Sequence, residues 1–276
     1  MTQLMGILNA APDSFSDPGR RSPAELVARG IELAGEGAAI VDVGGESGRT
    51  DRPAVTERDE IARVAPLVER LAAEGLCVSV DTWRAPVAGA ALAAGAAMIN
   101  DVSALSDPAL AEACAEARAT LVIAHTRLPP KQKGFPEYAD VMADVIALLS
   151  ERVDEARRRG VTEDRIVLDP GLDLAKTPAQ SIELLQRLPE LCSLGYPVLV
   201  AASRKDFIGA LTGRRPGDRD AGTLAAVDAA VAGGASILRV HDVAGTRDYL
   251  AVREGLRKRE SSLMLDVALR REPDAA

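Results

Sequence analysis

The sequence predicts an α/β protein, a single (β/α)8 TIM barrel with its site at the C-terminal ends of the strands, and three observations carry that expectation. Eight short runs rich in β-branched residues alternate with longer segments of helical period, a rhythm that requires βα units and a parallel sheet. The chain has 276 residues, close to the ~250 that eight such units need. Every run ends in polar or ionisable residues, as expected where eight strand ends meet at one mouth. An open doubly wound sheet is the rival topology. No Gly-x-Gly-x-x-Gly follows the first run, which weakens its dinucleotide-binding form.

Taken in order, the predicted strands are 4–8, 39–43, 76–80, 97–99, 120–124, 165–168, 197–200 and 236–240. Between them, Ile61, Val64, Leu67, Val68 and Leu71 recur on one helical face, as do Val141, Val145, Leu148, Leu149 and Val153. Ser22 and Asp107 each precede a proline that opens a helix, and Thr177-Pro178-Ala179-Gln180 reads as a capping box. Gly75, Gly95, Gly160 and Gly195 mark helix stops. Segments 10–21 and 46–56 are rich in Pro, Gly, Asp and Arg without a period, so they read as mobile loops. One domain is expected over 1–276, with a polar tail at 270–276.

Composition narrows the function. Hydrophobic residues make up 47% and charged ones 27%, the balance of a soluble protein with a sizeable core. A formal net charge of -8 without a basic block argues against nucleic acid, and seven aromatic residues are too few for a base-stacking surface. Three well-separated cysteines read as reduced core residues of a cytoplasmic protein. No targeting signal appears, and the longest uncharged run, 85–100, is too short and weakly apolar to span a bilayer. Only two histidines exist, His125 and His241, so a three-histidine site is excluded.

The strand ends read Asn9; Asp42 with Gly44-Gly45-Glu46-Ser47; Asp81; Asn100-Asp101; His125; Asp169; Ser203-Arg204-Lys205; and Arg239 with His241. Helix capping accounts for any single Asp, Asn or Ser at such a junction. It does not account for Lys205, Arg239 and His241, which are poor N-caps. Carboxylates and amides end strands three, four and six, and cations end strands seven and eight, a division that suggests a two-part ligand. Asp81, Asn100 and Asp169 could pair with the donor and acceptor edge of a flat heterocycle. Arg239, His241 and the Asn9 amide suit phosphate or pyrophosphate, with a magnesium ion. No nucleophilic triad is visible: neither histidine has an evident Ser or Cys partner, and Ser14 and Ser16 lie in a Pro/Asp/Gly segment.

At these residues the chain resembles the dihydropteroate synthases. The matching segments are Met5-Gly-Ile-Leu-Asn9, Pro12-Asp-Ser-Phe-Ser-Asp17, Gly44-Gly-Glu-Ser47, Val80-Asp81-Thr82, Ile99-Asn-Asp-Val102, Asp169-Pro-Gly171, Ser203-Arg-Lys205, Phe207-Ile-Gly209 and Arg239-Val-His-Asp242. The resemblance implies condensation of 6-hydroxymethyl-7,8-dihydropterin pyrophosphate with p-aminobenzoate and release of pyrophosphate, with Mg2+ as cofactor and a homodimeric enzyme. It assigns Asp81, Asn100, Asp169 and Lys205 to the pterin. Asn9, Arg239 and His241 go to pyrophosphate and metal. Phe15 and Asp17 fall in a first mobile loop, Ser47 and Arg49 in a second. Ser203, Arg204 and Asp206 are further implied substrate-binding residues, Asp206 where a helix N-terminus would meet the amine substrate's carboxylate. Arg239, His241, Lys205 and Asp17 are the implied catalytic set.

Departures from the family pattern cluster where p-aminobenzoate should sit. The second loop reads Glu46-Ser47-Gly48-Arg49-Thr50 in place of Glu-Ser-Thr-Arg-Pro, and Asp206 stands where Ser or Arg is usual. A carboxylate within ~4 Å of the amine substrate's own would cost several kcal/mol at an effective dielectric near 20, roughly a hundredfold or more in affinity. The other reading is that Asp206 caps its helix and points away. Near the pterin, Leu174 replaces a phenylalanine and Asp173 adds a charge; Ala124-His125-Thr126 replaces a Met-His-Met segment. Val80-Asp-Thr-Trp-Arg-Ala85 and Ala124-His-Thr126 are also similar to a divergent second copy of the synthase found in some actinobacteria, although this chain, unlike that group, keeps Gly44-Gly-Glu-Ser47 and Arg204. A paralogue that binds the pterin or diphosphate half but joins another amine, or none, is therefore the alternative function. Trp83 either walls the site or fills a core position.

Overall fold

The computed structural model describes residues 2–10, 22–46 and 54–257. In chain order the elements begin β1 (Gln3–Asn9), α1 (Pro23–Glu36), β2 (Ile40–Gly44), α2 (Glu57–Ala73), β3 (Val78–Asp81), α3 (Ala85–Ala93) and β4 (Met98–Asp101). They continue through α4 (Ala109–Ala117), β5 (Thr120–Ala124), α5 (Val141–Arg158), β6 (Ile166–Asp169), α6 (Pro178–Gln186) and α7 (Leu188–Cys192). The last are β7 (Leu199–Val200), α8 (Asp206–Thr212), α9 (Asp220–Ala232), β8 (Ile237–Val240) and α10 (Val243–Arg257). All strand pairs are parallel, in the order β6-β5-β4-β3-β2-β1-β8-β7. A parallel bridge between Leu168 and Val198 brings β6 to the chain entering β7 and closes the circle. The barrel predicted from eight runs is thus the fold.

The eight expected strands are all present with ends moved by a residue or two. Several extend into Asp81, Asn100-Asp101 and Asp169, because polar side chains do not interrupt a backbone ladder. β7 is instead cut to two residues. Pro197, in the expected run, has no N–H to donate, though its carbonyl still accepts the Leu168 N–H at 2.9 Å. The expected helix signals also act as read. Ser22 with Glu25 and Thr177 with Gln180 form reciprocal capping boxes, and Asp107 accepts the Ala109 N–H at 3.0 Å. Gly75, Gly95, Gly160 and Gly195 all take left-handed φ just past a helix end. Both predicted apolar faces pack inward, with Ile61 alone half-exposed.

Two separate apolar layers position the site. The larger lies between barrel and helices and includes Leu33, Val64, Leu71, Leu121, Leu149 and Leu168. The smaller is inside the barrel, where Met5, Ile40, Met98, Val122, Val167, Leu199 and Ile237 contribute one side chain from each of seven strands. Strand side chains alternate with period two, so the residue two positions on points into the barrel one layer higher. Those residues are Ile7, Asp42, Asn100, Ala124, Asp169, Ala201 and Arg239, with Asp81 pairing Asn100 in register. Two positions further come Asn9, Gly44, Ser203 and His241. The apolar plug is therefore a floor, and the polar residues are the layers stacked on it toward the strands' C-terminal ends.

A candidate active site at the barrel mouth

Arg239 is the centre of the first polar layer. Its Nε donates to Asp42 at 2.6 Å and its Nη2 to Asp81 at 2.8 Å, while the Asn100 amide donates to the same Asp42 oxygen at 3.2 Å. The expectation of separate acidic and cationic halves is thus corrected: the cation of the eighth strand lies between the acids of the second and third. A guanidinium this deep needs carboxylates beside it, and the alternation of side chains on adjacent strands supplies two. Asp42 Oδ1 and Asn100 Oδ1 are buried without a hydrogen-bond partner among the described residues.

Burial pushes the Asp81 carboxyl up to about 7; Arg239 opposes this, and Asp42 and Glu60 reinforce it. Burial also raises Asp169, against the Gly171 N–H that its carboxylate accepts at 2.6 Å and the nearby Lys205 charge. The field of Lys205 acts on Asp81, Asp169 and His241 together, so its ammonium belongs to the same mouth. Asn9 ends β1 beside Gly44, with its Oδ1 3.6 Å from where a Cβ on that glycine would lie. Ser203 and His241 complete the upper layer, the hydroxyl oxygen 2.9 Å from Nδ1. The absence of a serine partner for either histidine is corrected accordingly. This pair is nevertheless no triad, because among the described residues no carboxylate bonds the His241 ring.

His125 does not reach the mouth. Ala124 is the inward residue, so His125 points outward to α5, where Nε2 bonds Asp144 at 2.9 Å and Asp144 grips Arg127 at 2.9 and 2.7 Å. Burial and the Lys176 charge hold its imidazole down to about 4. Arg204, expected among the substrate-binding residues, is turned to Asp220 at 2.8 and 3.1 Å and so braces the start of α9. Asp206 opens α8 with a side chain 79% exposed and paired to Arg219 at 3.1 Å. Phe15, Asp17, Ser47, Gly48, Arg49 and Thr50 lie outside the described residues.

Three residues to which the sequence assigned no binding role support this layer and its turns. Asp42 joins Arg239 to Asn100; it was detectable by counting two residues on from Ile40. Lys176, 1% exposed, donates to the carbonyls of His125 at 3.1 Å, Gly171 at 2.9 Å and Leu174 at 2.9 Å. Burial lowers this ammonium to about 7. Asp173, with φ 62, bonds the Ser181 hydroxyl at 3.1 Å and accepts the Asp206 N–H, tying the β6–α6 turn to the start of α8. Its charge is thereby used between loops. Trp83 is half-buried under the Arg84 guanidinium, 4.4 Å from the ring centroid. Of the cysteines, all free, Cys114 is buried, Cys192 half-buried and Cys77 exposed, so the expectation of three core thiols holds for one.

Seven strands thus deliver ionisable or amide groups to one face of a parallel barrel, which places the protein in the class of (β/α)8 enzymes with a small-molecule site at the C-terminal mouth. Residues 5–241 match the family model of pterin binding enzymes. The chain is 44% identical over 260 residues to the dihydropteroate synthase of Mycobacterium leprae, covering 91% of this chain and 92% of that one. With that of Bacillus subtilis it shares 42% over 245 residues, covering 88% and 84%. The Xanthomonas albilineans enzyme solved with 4-aminobenzoic acid superposes with a TM-score of 0.86 at 45% identity, covering 92% and 93%. The same enzyme solved with 7,8-dihydropteroate gives 0.83 at 44%, with the same coverage. The chain belongs to the dihydropteroate synthase family of pterin-binding enzymes.

Proposed function

We propose that this protein transfers the pterinylmethyl group of 6-hydroxymethyl-7,8-dihydropterin pyrophosphate to p-aminobenzoate, releasing pyrophosphate, as a step of folate synthesis. The observation that carries this reading is the buried Arg239–Asp42–Asp81–Asn100 network on the apolar floor, with Asp169 in the same layer. Asp81, Asn100 and Asp169 face a flat heterocycle's N–H and carbonyl edge with acceptors and an amide, while Lys205 supplies a cation over it. The reacting methylene carbon needs little base: positive charge that develops there spreads into the pterin ring. Catalysis then comes from orientation and from stabilising the departing diphosphate, for which Arg239 and the His241 ring are the groups at hand.

Magnesium fits this site as an ion carried by the diphosphate. Among the described residues no group of three or more His, Cys, Asp or Glu is arranged to hold a metal, but Mg2+ commonly takes only one or two protein oxygens beside phosphate and water. The Asn9 amide oxygen would be this chain's ligand, and the ion would neutralise charge on the leaving group. On the amine side, Phe15, Ser47 and Arg49 keep their proposed roles from the family pattern, as does Asp17 in catalysis. The pairing of Asp206 with Arg219 supports acceptance of p-aminobenzoate, because the guanidinium offsets the charge of that carboxylate. The free cysteines and the family pattern support a cytoplasmic homodimer. No described helix is long and apolar enough to cross a membrane.

The test follows pyrophosphate release by the purified protein with magnesium and the pterin pyrophosphate. Release that depends on p-aminobenzoate is expected. Release at the same rate without the amine would assign the chain to another acceptor.

A further inference from the structure

β7 and β8 are neighbours, and Ser203 and His241 stand four positions beyond their floor residues Leu199 and Ile237. That placement brings a buried hydroxyl against the imidazole. The Ser203 oxygen accepts the backbone N–H of His241 at 3.3 Å and lies 2.9 Å from Nδ1 of the same residue. A hydroxyl has one proton to give and two lone pairs to offer, and a neutral imidazole has one nitrogen of each kind. Among the described residues, Nδ1 is the only atom in hydrogen-bonding contact with this hydroxyl that can accept its proton.

We infer that Ser203 donates its proton to Nδ1 and so holds His241 as the Nε2–H tautomer, which makes Ser203 a positioning residue for the imidazole at the barrel mouth. Nε2 bonds no described residue. It therefore presents a donor toward the space above the polar layer. The ring is kept neutral by burial and by the charges of Arg204, Arg239 and Lys205, against Asp220, which together hold it down to about 3. Neutrality makes the tautomer decisive. With the proton on Nε2 the ring donates to an anionic oxygen; with it on Nδ1 the same ring would offer a lone pair and repel that oxygen. The tautomer stands on the hydrogen bonds alone, whereas its consequence for diphosphate departure rests on the function proposed above.

Two-bond 1H–15N spectra of protein labelled at histidine read the tautomer directly, and with two histidines in the chain the spectrum is simple. His241→Gln serves only to assign the signals. His241 is expected as Nε2–H in the native protein at neutral pH. Ser203→Ala should release that lock, giving mixed tautomers, and lower kcat by roughly 10- to 100-fold, the usual effect of losing the partner that orients a functional histidine. The KM for the pterin pyrophosphate should change less, and Ser203→Thr should restore the Nε2–H form and recover most of the loss. A native His241 protonated on Nδ1 would overturn the assignment, whatever the variants do. A Ser203→Ala protein with native kcat would overturn the positioning role. If the native protein shows the Nε2–H form but turns over no pterin pyrophosphate, the tautomer is supported and the reaction assignment falls.

Discussion

Asp42 reaches Arg239 on one neighbouring side of the barrel and Asn100 on the other, so a single buried carboxylate sets two groups of the site. Asp42→Asn keeps the shape but removes the charge behind Arg239 Nε; kcat/KM for the pterin pyrophosphate should fall by about 10- to 100-fold, or roughly 1.4–2.8 kcal/mol. Steady-state kinetics check this, and an unchanged value would show that Asp81 alone orients the guanidinium. Asp81 itself makes ligand affinity depend on pH. Its folded carboxyl is pushed up to about 7, so it holds its proton below that value, and only the ionised form accepts from the heterocycle's N–H edge. Calorimetric Kd values for the pterin should weaken by about tenfold for each pH unit below 7, with a flat profile in Asp81→Asn. The sign for stability is opposite. A carboxyl raised in the folded state favours folding at low pH, and that contribution is lost between about 4, its unfolded value, and 7. Most of these side chains were legible in the sequence because polar residues closed each apolar run. His125 and Asp42 were misplaced or passed over because proximity to a strand end does not tell inward from outward. Counting by twos from the floor residues does.

The turns between elements are where the sequence was least legible. α7 and α8 have five and seven residues, too short to establish a period, and the sequence left Asp206 between a site residue and a helix cap because its Arg219 partner could not be seen. Asp206→Ser should change the KM for p-aminobenzoate by no more than about fivefold, since an exposed ion pair is worth at most ~1 kcal/mol. A tenfold gain in affinity would restore the repulsion argument. The start of α2 is held differently. Glu60 is fully buried and paired with Arg84, which also donates to Glu46 at 2.9 Å and to the Val55 carbonyl at 3.2 Å. Burial raises the Glu60 carboxyl. Arg84→Met would leave that acid without its cation and should destabilise the fold by about 3–5 kcal/mol in urea titrations; a double Glu60→Leu, Arg84→Met variant should recover part of it. Equal stability of the single and double variants would contradict this account.

For the molecule as a whole, the barrel was legible because eight apolar runs agree with the glycine stops, the capping boxes and the chain length. The grouping of charges was not legible, because strand order in sequence hides the fact that β8 closes on β1, two strands from β2 and three from β3. Closure carries Arg239 to the acids, and it lets one floor of seven apolar side chains support the whole site. The central claim is that this mouth joins a pterin to an aromatic amine with loss of diphosphate. The most direct measurement incubates the purified protein with magnesium, the pterin pyrophosphate and p-aminobenzoate, and quantifies both products by mass spectrometry and a pyrophosphate assay. Dihydropteroate formed in equal amount to pyrophosphate is the predicted result. Pyrophosphate without dihydropteroate, or neither product, would contradict it.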